Sequence, residues 1–510
     1  MDIQKIKTVG ELKKSGYIFQ SIKEEVRNNL IKKIEAGETA FDGIYGYEDS
    51  VIPDTENALL SKHNILFLGL RGQAKTRLSR KMINLLDEYI PVIAGSEVND
   101  HPLRPFSKFS KDLLSEYGEE TPIEWLHRND RYAEKLATPD VSVADLIGDI
   151  DPIKAANLRL SFADERVIHY GIIPRSNRGI FVINELPDLQ ARIQVSLFNI
   201  LEEGDIQIRG FKLRMPLDIL FVFTANPEDY TNRGSIVTPL KDRIESQILT
   251  HYPKEIETAL AITSQEAQVP EAQMQRVDMS DLIKRLIEQI AFEARSNEYV
   301  DKKSGVSARL TIAAFENAYS SAERRAILQH EKHTQVWISD LMGIIPAITG
   351  KIELVYEGEQ EGPFIVAMNL LDKAIRTRFT EYFPNPDALK KRRNTGKASM
   401  ANQPEENPYK AITRWFDAGN HLDLMQDMKD EQKIAALYKV DGLHAFVKKF
   451  FSHTNEKEAA LLMEFVLHGL SSFSLISKKM VEGKIQFKDL IGSMMNMGHE
   501  DDDLEDSTFN

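Results

Sequence analysis

The stretch from Asn64 to Thr76 constrains the fold most, because an apolar run leads directly into a glycine turn and a Lys-Thr pair. Ile65 to Leu68 form a short continuous apolar run, which is typical of a buried parallel strand. Residues 77–90 then carry apolar side chains at helical spacing, so the sequence predicts a helix there. Strand, glycine turn, Lys-Thr and helix together form the layout of a phosphate-binding loop.

The loop residues are suited to holding a polyphosphate. Gly69 and Gly72 let backbone N–H groups face the anion, and the start of the helix adds a favourable dipole. We expect Lys75 to reach the β- and γ-phosphates and the Thr76 hydroxyl to hold Mg²⁺. Ala74 precedes the lysine, where the usual pattern has glycine. On these residues alone, an ordinary strand–turn–helix with a surface lysine is the alternative.

Two further apolar runs predict buried strands, at 179–183 and at 217–224. A helix is expected between them over 188–203, closed by Gly204, and residues 205–214 predict a hairpin. The alternation of strands and helices predicts an α/β fold with a parallel sheet and helices on both faces.

Polar residues follow each of these strands. Lys75 and Thr76 follow the first, Glu185 follows the second, and Asn226 follows the third. Because ligands of such sheets bind at the carboxyl ends of the strands, we expect these side chains to converge on one site.

Composition narrows the class of protein. The 510 residues are enough for about three domains. The net charge of −14 argues against a general nucleic-acid binder. The absence of cysteine excludes disulfides, zinc–thiolate sites and cysteine nucleophiles. No apolar run reaches the length of a membrane span and the N-terminus has no signal-peptide core, so a cytoplasmic protein without a membrane span is expected.

The chain divides by composition into six segments. Helical patterns dominate after the sheet, and a stretch rich in proline, with the basic run at 390–393, separates two helical regions. A helix is also expected from Pro122 to Ala137, and Asn455 with Glu458 predicts a capping box. The predicted segments are an N-terminal helical segment (1–40), an α/β core (41–250), a helical domain (251–383), a linker (384–408), a helical C-terminal domain (409–498) and an acidic tail (499–510).

Hydrolysis of a nucleoside triphosphate also needs a group that activates water and a positive charge on the γ-phosphate. Glu185 can act as the base, whereas the preceding Asn184 offers only a neutral carbonyl to a Mg²⁺-bound water. Asn226 can orient the attacking water. Arg243 and Arg309 are candidates for the positive charge, and either can equally be a structural or surface arginine.

Segment 42–383 resembles AAA+ ATPases of the clade that contains MoxR proteins and the magnesium chelatase I subunit. The phosphate loop is similar to that of MoxR proteins, in which alanine before the lysine is common. The similar segments are the phosphate loop (69–76), two chelatase-like stretches (146–155 and 176–189), a sensor-1 segment (223–227), an arginine-finger segment (239–244) and a sensor-2 start (305–309).

The resemblance implies an AAA+ parallel-sheet nucleotide-binding core with a helical lid, followed by an all-α C-terminal region. It implies ATP and Mg²⁺ as cofactors, a ring that is usually a homohexamer, and a partner carrying a von Willebrand A domain. Arg243 would reach the nucleotide of a neighbour and Arg309 would act from the lid. The implied nucleotide-binding residues are Gly69, Gly72, Gln73, Ala74, Lys75, Thr76 and Arg77; the metal residues are Thr76 and Asn184; the catalytic residues are Glu185, Asn226, Arg243 and Arg309.

Three functions are compatible with these features. The first is an ATP-driven motor that remodels a partner protein or inserts a metal. The second is a nucleotide-gated scaffold with little turnover, which Asn184 and the long helical extension favour. The third is a motor of the transcription-activator type, against which the overall acidity argues.

Overall fold

The computed structural model describes residues 5–162, 164–208, 214–227, 235–388, 407–481 and 483–490. The chain forms two compact units, Met1–Tyr252 and Pro253–Asn510. Within the described residues, no helix combines the length and apolar composition that crossing a membrane requires.

The first unit is built on a five-stranded sheet in which every neighbouring pair is parallel. Its order is β5-β1-β4-β3-β2. The strands are β1 (Ile65–Leu68), β2 (Tyr132–Leu136), β3 (Gly179–Asn184), β4 (Ile219–Ala225) and β5 (Ser246–Leu249). The sequence therefore correctly predicted a parallel sheet.

Alternate residues of the sheet enter two separate apolar cores. Phe67 and Val222 face one core, whereas Phe181 and Phe223 face the other. Both faces are covered, which explains why β1, β3 and β4 are continuous apolar runs without polar alternation.

The N-terminal helix Ile22–Glu35 packs on one face of this sheet. Its apolar stripe buries Ile22, Val26 and Leu30, while Ile34 at its end is 46% exposed.

Other helices and strands of the unit connect and flank the sheet. The helices are Val9–Lys14, Val51–Leu60, Lys75–Lys81, Lys108–Tyr117, Val143–Leu146, Pro152–Leu158, Ile172–Arg175, Ala191–Ser196, Phe198–Glu203 and Thr238–Asp242; the strands are Tyr89–Ile93, Ile123–His127, Gly148–Ile150, Ile168–Tyr170, Asp205–Gln207 and Arg214–Pro216.

The helix predicted from Pro122 to Ala137 is wrong. This segment forms the strand Ile123–His127 and the edge strand β2. Each of the two pairs with a strand distant in sequence, Tyr89–Ile93 and β3 respectively, and these ladders outweigh the local helix propensity.

Three other predicted elements are present with bounds that differ from the prediction. The helix after the glycine turn ends at Lys81 and continues as a 3₁₀ turn, Met82–Leu85. The helix over 188–203 is two helices, which end at Gly204 in the left-handed conformation. The hairpin strands Asp205–Gln207 and Arg214–Pro216 pair as predicted, while Gly210 lies outside the described residues.

The second unit is mainly helical. The capping box of Asn455 and Glu458 is present. A three-stranded antiparallel sheet, which the sequence did not predict, completes the unit with strands Leu422–Met425, Ser477–Val481 and Lys484–Lys488. The main helices are Ile256–Glu266, Glu271–Arg276, Asp281–Ser296, Arg309–Leu328, Ile345–Thr349, Tyr356–Glu361, Pro363–Tyr382, Lys410–Asp417, Asp430–Tyr438, Leu443–Phe450 and Glu456–Ser472; two short strands, Val277–Asp278 and Thr334–Gln335, pair with each other. The basic run 390–393 and the acidic tail 499–510 lie outside the described residues.

Candidate functional site

Side chains at the ends of three neighbouring strands form one hydrogen-bonded chain. The Lys75 ammonium donates to Asn226 Oδ1 at 2.6 Å, and the Asn226 amide donates to Glu185 Oε2 at 2.7 Å. The carboxyl ends of β1, β4 and β3 therefore bring together a cation, an amide and a carboxylate, as the strand pattern predicted.

Lys75 begins the helix Lys75–Lys81 and is 7% exposed. Its ammonium also donates to the carbonyl oxygens of Leu70, at 3.0 Å, and of Gly69. The preceding Ala74 has φ of 55°, in the left-handed region. Glycine adopts this conformation with little strain, which is the physical reason that glycine is usual before the lysine.

Gly69 is required by close packing. A Cβ atom there would lie 2.0 Å from Thr250 Oγ1 and 2.3 Å from Gln73 Oε1. Thr250 also donates its hydroxyl to Gln73 Oε1 at 2.7 Å. The first glycine of the loop thus lets the end of β5 approach the loop directly.

Glu185 follows β3 in a left-handed conformation with φ of 56°. Its N–H donates to Thr224 Oγ1 at 3.1 Å, and that hydroxyl donates to Asn184 Oδ1 at 3.2 Å. A non-glycine residue in this region is strained by about 1–3 kcal/mol. The strained residue is thus the one whose carboxylate accepts the hydrogen bond from Asn226.

The remaining loop residues line the same turn. Gln73 is buried, Gly72 has φ of 72°, and Thr76 and Arg77 are half-buried in the first turn of the helix. Among the described residues, no group of three acidic, histidine or cysteine side chains is placed to hold a metal ion by itself.

The two candidate arginines are not members of this hydrogen-bonded chain. Arg243 follows the helix Thr238–Asp242 and forms an ion pair with Glu202, with Nε at 2.8 Å from Oε2. It also donates to the Pro239 carbonyl oxygen at 2.8 Å, and its guanidinium lies 5.0 Å from the centre of the Phe198 ring. Arg309, in the second unit, is the first residue of the helix Arg309–Leu328 and is exposed.

Two tyrosines that the sequence analysis did not single out contact the loop. The Tyr47 hydroxyl lies 2.9 Å from the carbonyl oxygen of Gln73, and the Tyr252 hydroxyl donates to that of Arg71 at 2.8 Å. The apolar runs and glycine pattern carried no signal for them, because neither tyrosine is adjacent to the loop in sequence.

The first unit has the α/β architecture that the sequence predicted. Its parallel sheet, in the order β5-β1-β4-β3-β2, has helices on both faces and is followed in the chain by a mainly helical unit. No family model matches the chain.

A curated relative is similar to part of the chain. The chain is 24% identical over 201 residues to the magnesium-chelatase 38 kDa subunit of Cereibacter sphaeroides. The match covers 39% of this chain and 54% of that subunit, so the chain spans about half the length of that relative.

Solved structures show weaker likenesses. A chain from the complex of the BchI and BchD subunits of magnesium chelatase is 19% identical, with 63% of this chain and 98% of that chain covered and a TM-score of 0.33. NtrX of Brucella abortus in complex with ADP is 13% identical, with 72% and 66% covered and a TM-score of 0.33. At these values neither likeness bears on the function of this chain.

Proposed function

We propose that this chain is an ATPase that binds ATP and Mg²⁺ at the phosphate loop and hydrolyses ATP within a ring of identical subunits. The hydrogen-bonded chain from Lys75 through Asn226 to Glu185 carries the proposal. A cation that would bind the phosphates and a carboxylate that would act on water both contact the same amide, and this arrangement would suit phosphoryl transfer.

The side chains present fit the nucleotide and its metal. Lys75 would hold the β- and γ-phosphates, and the glycine turn would present backbone N–H groups to them. The Thr76 hydroxyl would hold Mg²⁺ directly and the Asn184 carbonyl would hold a water of the ion, because hydroxyl and carbonyl oxygens are ligands that Mg²⁺ accepts. The ion would neutralise charge that develops on the phosphates.

Glu185 and Asn226 would act on the attacking water. The carboxylate would accept the proton of the water, and the Asn226 amide would orient the carboxylate and the water. The hydrogen bond from the Glu185 N–H to Thr224 supports a fixed position of the carboxylate.

Arg243 would complete the site of a neighbouring subunit. In the single chain its guanidinium is paired with Glu202, whose side chain is 55% exposed. Exposed pairs of this kind contribute only about 0–1 kcal/mol, so the guanidinium can exchange Glu202 for a phosphate at small cost. Arg309, exposed at the start of its helix, would add a second positive charge from the lid.

The energy of hydrolysis would remodel a partner protein or drive the insertion of a metal ion. The similarity to a magnesium-chelatase subunit supports this class of work, and the resemblance of the motifs to MoxR proteins supports a hexameric ring and a partner with a von Willebrand A domain.

Two substitutions test the site. Lys75→Ala should weaken binding of a fluorescent ATP analogue by about a hundredfold, because the loss of a charge-assisted hydrogen bond costs up to ~3 kcal/mol. Glu185→Gln should keep binding and lower the rate of phosphate release by about 10²–10⁴-fold. Lys81→Ala, in the last turn of the same helix, is the matched control. Wild-type turnover in both site variants would refute the proposal.

The neutral Asn184 favours a second function, a nucleotide-gated scaffold. Asn184 accepts a hydrogen bond from Thr224 and offers no charge to the metal. This alternative predicts ATP-dependent assembly of rings, measured by light scattering, with negligible release of phosphate. Sustained steady-state turnover of the purified protein would exclude it.

A further inference from the structure

Two tyrosine hydroxyls hold carbonyl groups of the phosphate loop from outside. Tyr252 donates to the Arg71 carbonyl oxygen at 2.8 Å. The Tyr47 hydroxyl lies 2.9 Å from the Gln73 carbonyl oxygen and 2.8 Å from that of His251. The single hydroxyl proton of Tyr47 is therefore shared between a carbonyl oxygen of the loop and one of the segment that follows β5.

The held carbonyls determine where the next N–H groups point. In a trans peptide the C=O and N–H bonds point in opposite directions, and the described chain contains no cis peptide bond. Fixing the Arg71 carbonyl therefore fixes the N–H of Gly72, and fixing the Gln73 carbonyl fixes the N–H of Ala74.

These two N–H groups belong to residues with left-handed backbone. Gly72 has φ of 72° and Ala74 has φ of 55°, with Gln73 between them. Successive backbone N–H groups in a turn of this kind can form one concavity, which binds anions. The two hydroxyls thus contact the carbonyl groups that precede these N–H groups.

We propose that Tyr47 and Tyr252 are positioning residues that orient the N–H groups of Gly72 and Ala74 toward the phosphate chain of a bound nucleotide. The inference rests on the proposed nucleotide site and adds to it two residues that need not touch the nucleotide. A loop oriented before binding loses less conformational freedom when the anion arrives.

The surroundings of Tyr47 suit this role. Tyr47 is 5% exposed, and burial raises the pKa of its hydroxyl well above the usual range, so the group keeps its proton at neutral pH. Its ring meets the His251 imidazole edge-on, with ring centroids 5.0 Å apart. The imidazole lies 2.9 Å from Ser50 Oγ in turn. Tyr47 therefore packs against a histidine that is itself held by a hydrogen bond.

Removing single oxygen atoms tests the proposal. The variants are Tyr47→Phe, Tyr252→Phe and, as the matched control, Tyr45→Phe, whose side chain in the same segment is 44% exposed. Affinity is measured for a fluorescent ADP analogue, and for ADP, ATP and adenosine by competition with it. Thermal unfolding of each variant establishes that it is folded.

We expect Tyr47→Phe and Tyr252→Phe each to weaken ADP and ATP binding by about three- to tenfold, the effect of one lost hydrogen bond. Adenosine, which has no phosphates, should bind all variants equally, and Tyr45→Phe should bind like the wild type. A merely structural role would weaken all three ligands alike and would overturn the proposal.

Unchanged ADP affinity in the two folded variants would also overturn it, while leaving the nucleotide site itself intact. A wild-type chain that binds no nucleotide would instead refute the proposed function. If Tyr47→Phe does not fold, the nucleotide affinities of Tyr252→Phe decide the test. Tyr252 is half-buried, and its hydroxyl donates to the Arg71 carbonyl oxygen independently of Tyr47.

Discussion

Asn184 ends β3 with a neutral amide at a position where a carboxylate would attract the waters of Mg²⁺ more strongly. Its Oδ1 accepts a hydrogen bond from Thr224, and an aspartate can accept the same bond. We therefore expect Asn184→Asp to lower the Mg²⁺ concentration that gives half-maximal ATPase rate by about tenfold, since a charged hydrogen bond exceeds a neutral one by ~1 kcal/mol or more.

The measurement is a Mg²⁺ titration of phosphate release at saturating ATP. Asn129→Asp, at an exposed position of the same unit, adds the same charge and should leave the titration unchanged. An unaltered Mg²⁺ dependence in Asn184→Asp would mean that this side chain does not face the metal.

At the residue scale, the sequence was sufficient to predict which side chains meet at the ends of the strands. Lys75, Asn226 and Glu185 each follow an apolar run, so their meeting at one edge could be predicted. Tyr47 and Tyr252 could not be found in this way. Their hydroxyls meet loop carbonyls that are 26 and 181 residues away in sequence, and only the folded packing brings them together.

The helix Asp281–Ser296 carries a buried carboxyl group whose ionisation depends on the fold. Glu288 is 2% exposed, and one of its carboxyl oxygens has no hydrogen-bond partner within the described chain. Burial raises its pKa from 4.5 to about 7, against the opposing effects of Thr263 and Arg295. The folded state therefore holds this proton more tightly than the unfolded chain does.

Protonated Glu288 contributes up to about 3 kcal/mol to the free energy of unfolding. This contribution is complete below pH 4.5 and is lost as the pH rises through about 7. Glu288→Gln is always neutral, so it should unfold at a higher temperature than the wild type at pH 8 and at a similar temperature at pH 4.5. Equal midpoints at both pH values would show that Glu288 ionises normally.

Two helices of the second unit approach each other at a glycine. A Cβ atom at Gly469, on Glu456–Ser472, would lie 2.1 Å from Cδ2 of Phe379, on Pro363–Tyr382. Gly469→Ala should therefore destabilise this unit by about 1–3 kcal/mol through overpacking, despite the better helix propensity of alanine. Urea denaturation measures the change.

The double variant Gly469→Ala with Phe379→Leu distinguishes the steric contact with Phe379 from the effect of helix propensity. Removing the ring should recover part of the loss if the two groups collide, and the deviation from additivity measures their coupling. Additive losses would contradict the contact.

Prediction at the element scale failed where long-range pairing decided the structure. β2 reads Tyr-Ala-Glu-Lys-Leu, which favours a helix locally, yet it pairs along its length with β3. The three-stranded sheet formed by 422–425, 477–481 and 484–488 was missed for the same reason, because two of its strands lie more than 50 residues from the third. The sequence does not encode such partners in its local periodicity.

At the scale of the whole molecule, the residues before and after the proline-rich segment share one apolar core within the second unit. Phe379 lies with its ring 5.7 Å from that of Phe465 and 6.1 Å from that of Tyr409. Arg325 donates to Asp430 at 2.9 Å, and the Ile338 N–H donates to Glu464 at 3.0 Å. Contacts that cross the predicted linker therefore include both apolar packing and buried charge.

The stability of the second unit depends on Asp430, and this dependence can be tested in the full chain. Its Oδ1 accepts from Arg325, from Thr334 at 2.8 Å and from the Trp337 indole at 2.8 Å, and all four side chains are buried. Removing the carboxylate leaves a buried guanidinium without one of its anions, which costs about 3–5 kcal/mol. We expect Asp430→Ala to lower the stability of the second unit by that amount.

Hydrogen exchange read by mass spectrometry locates the effect. Protection should fall together in the helices Arg309–Leu328 and Glu456–Ser472, on either side of the proline-rich segment, while β1 and β4 of the first unit keep theirs. Asp427→Ala, which removes an exposed ion pair with Arg324, is the matched control and should change little. A loss confined to residues after 407 would show that the C-terminal region folds on its own, and would contradict a shared core.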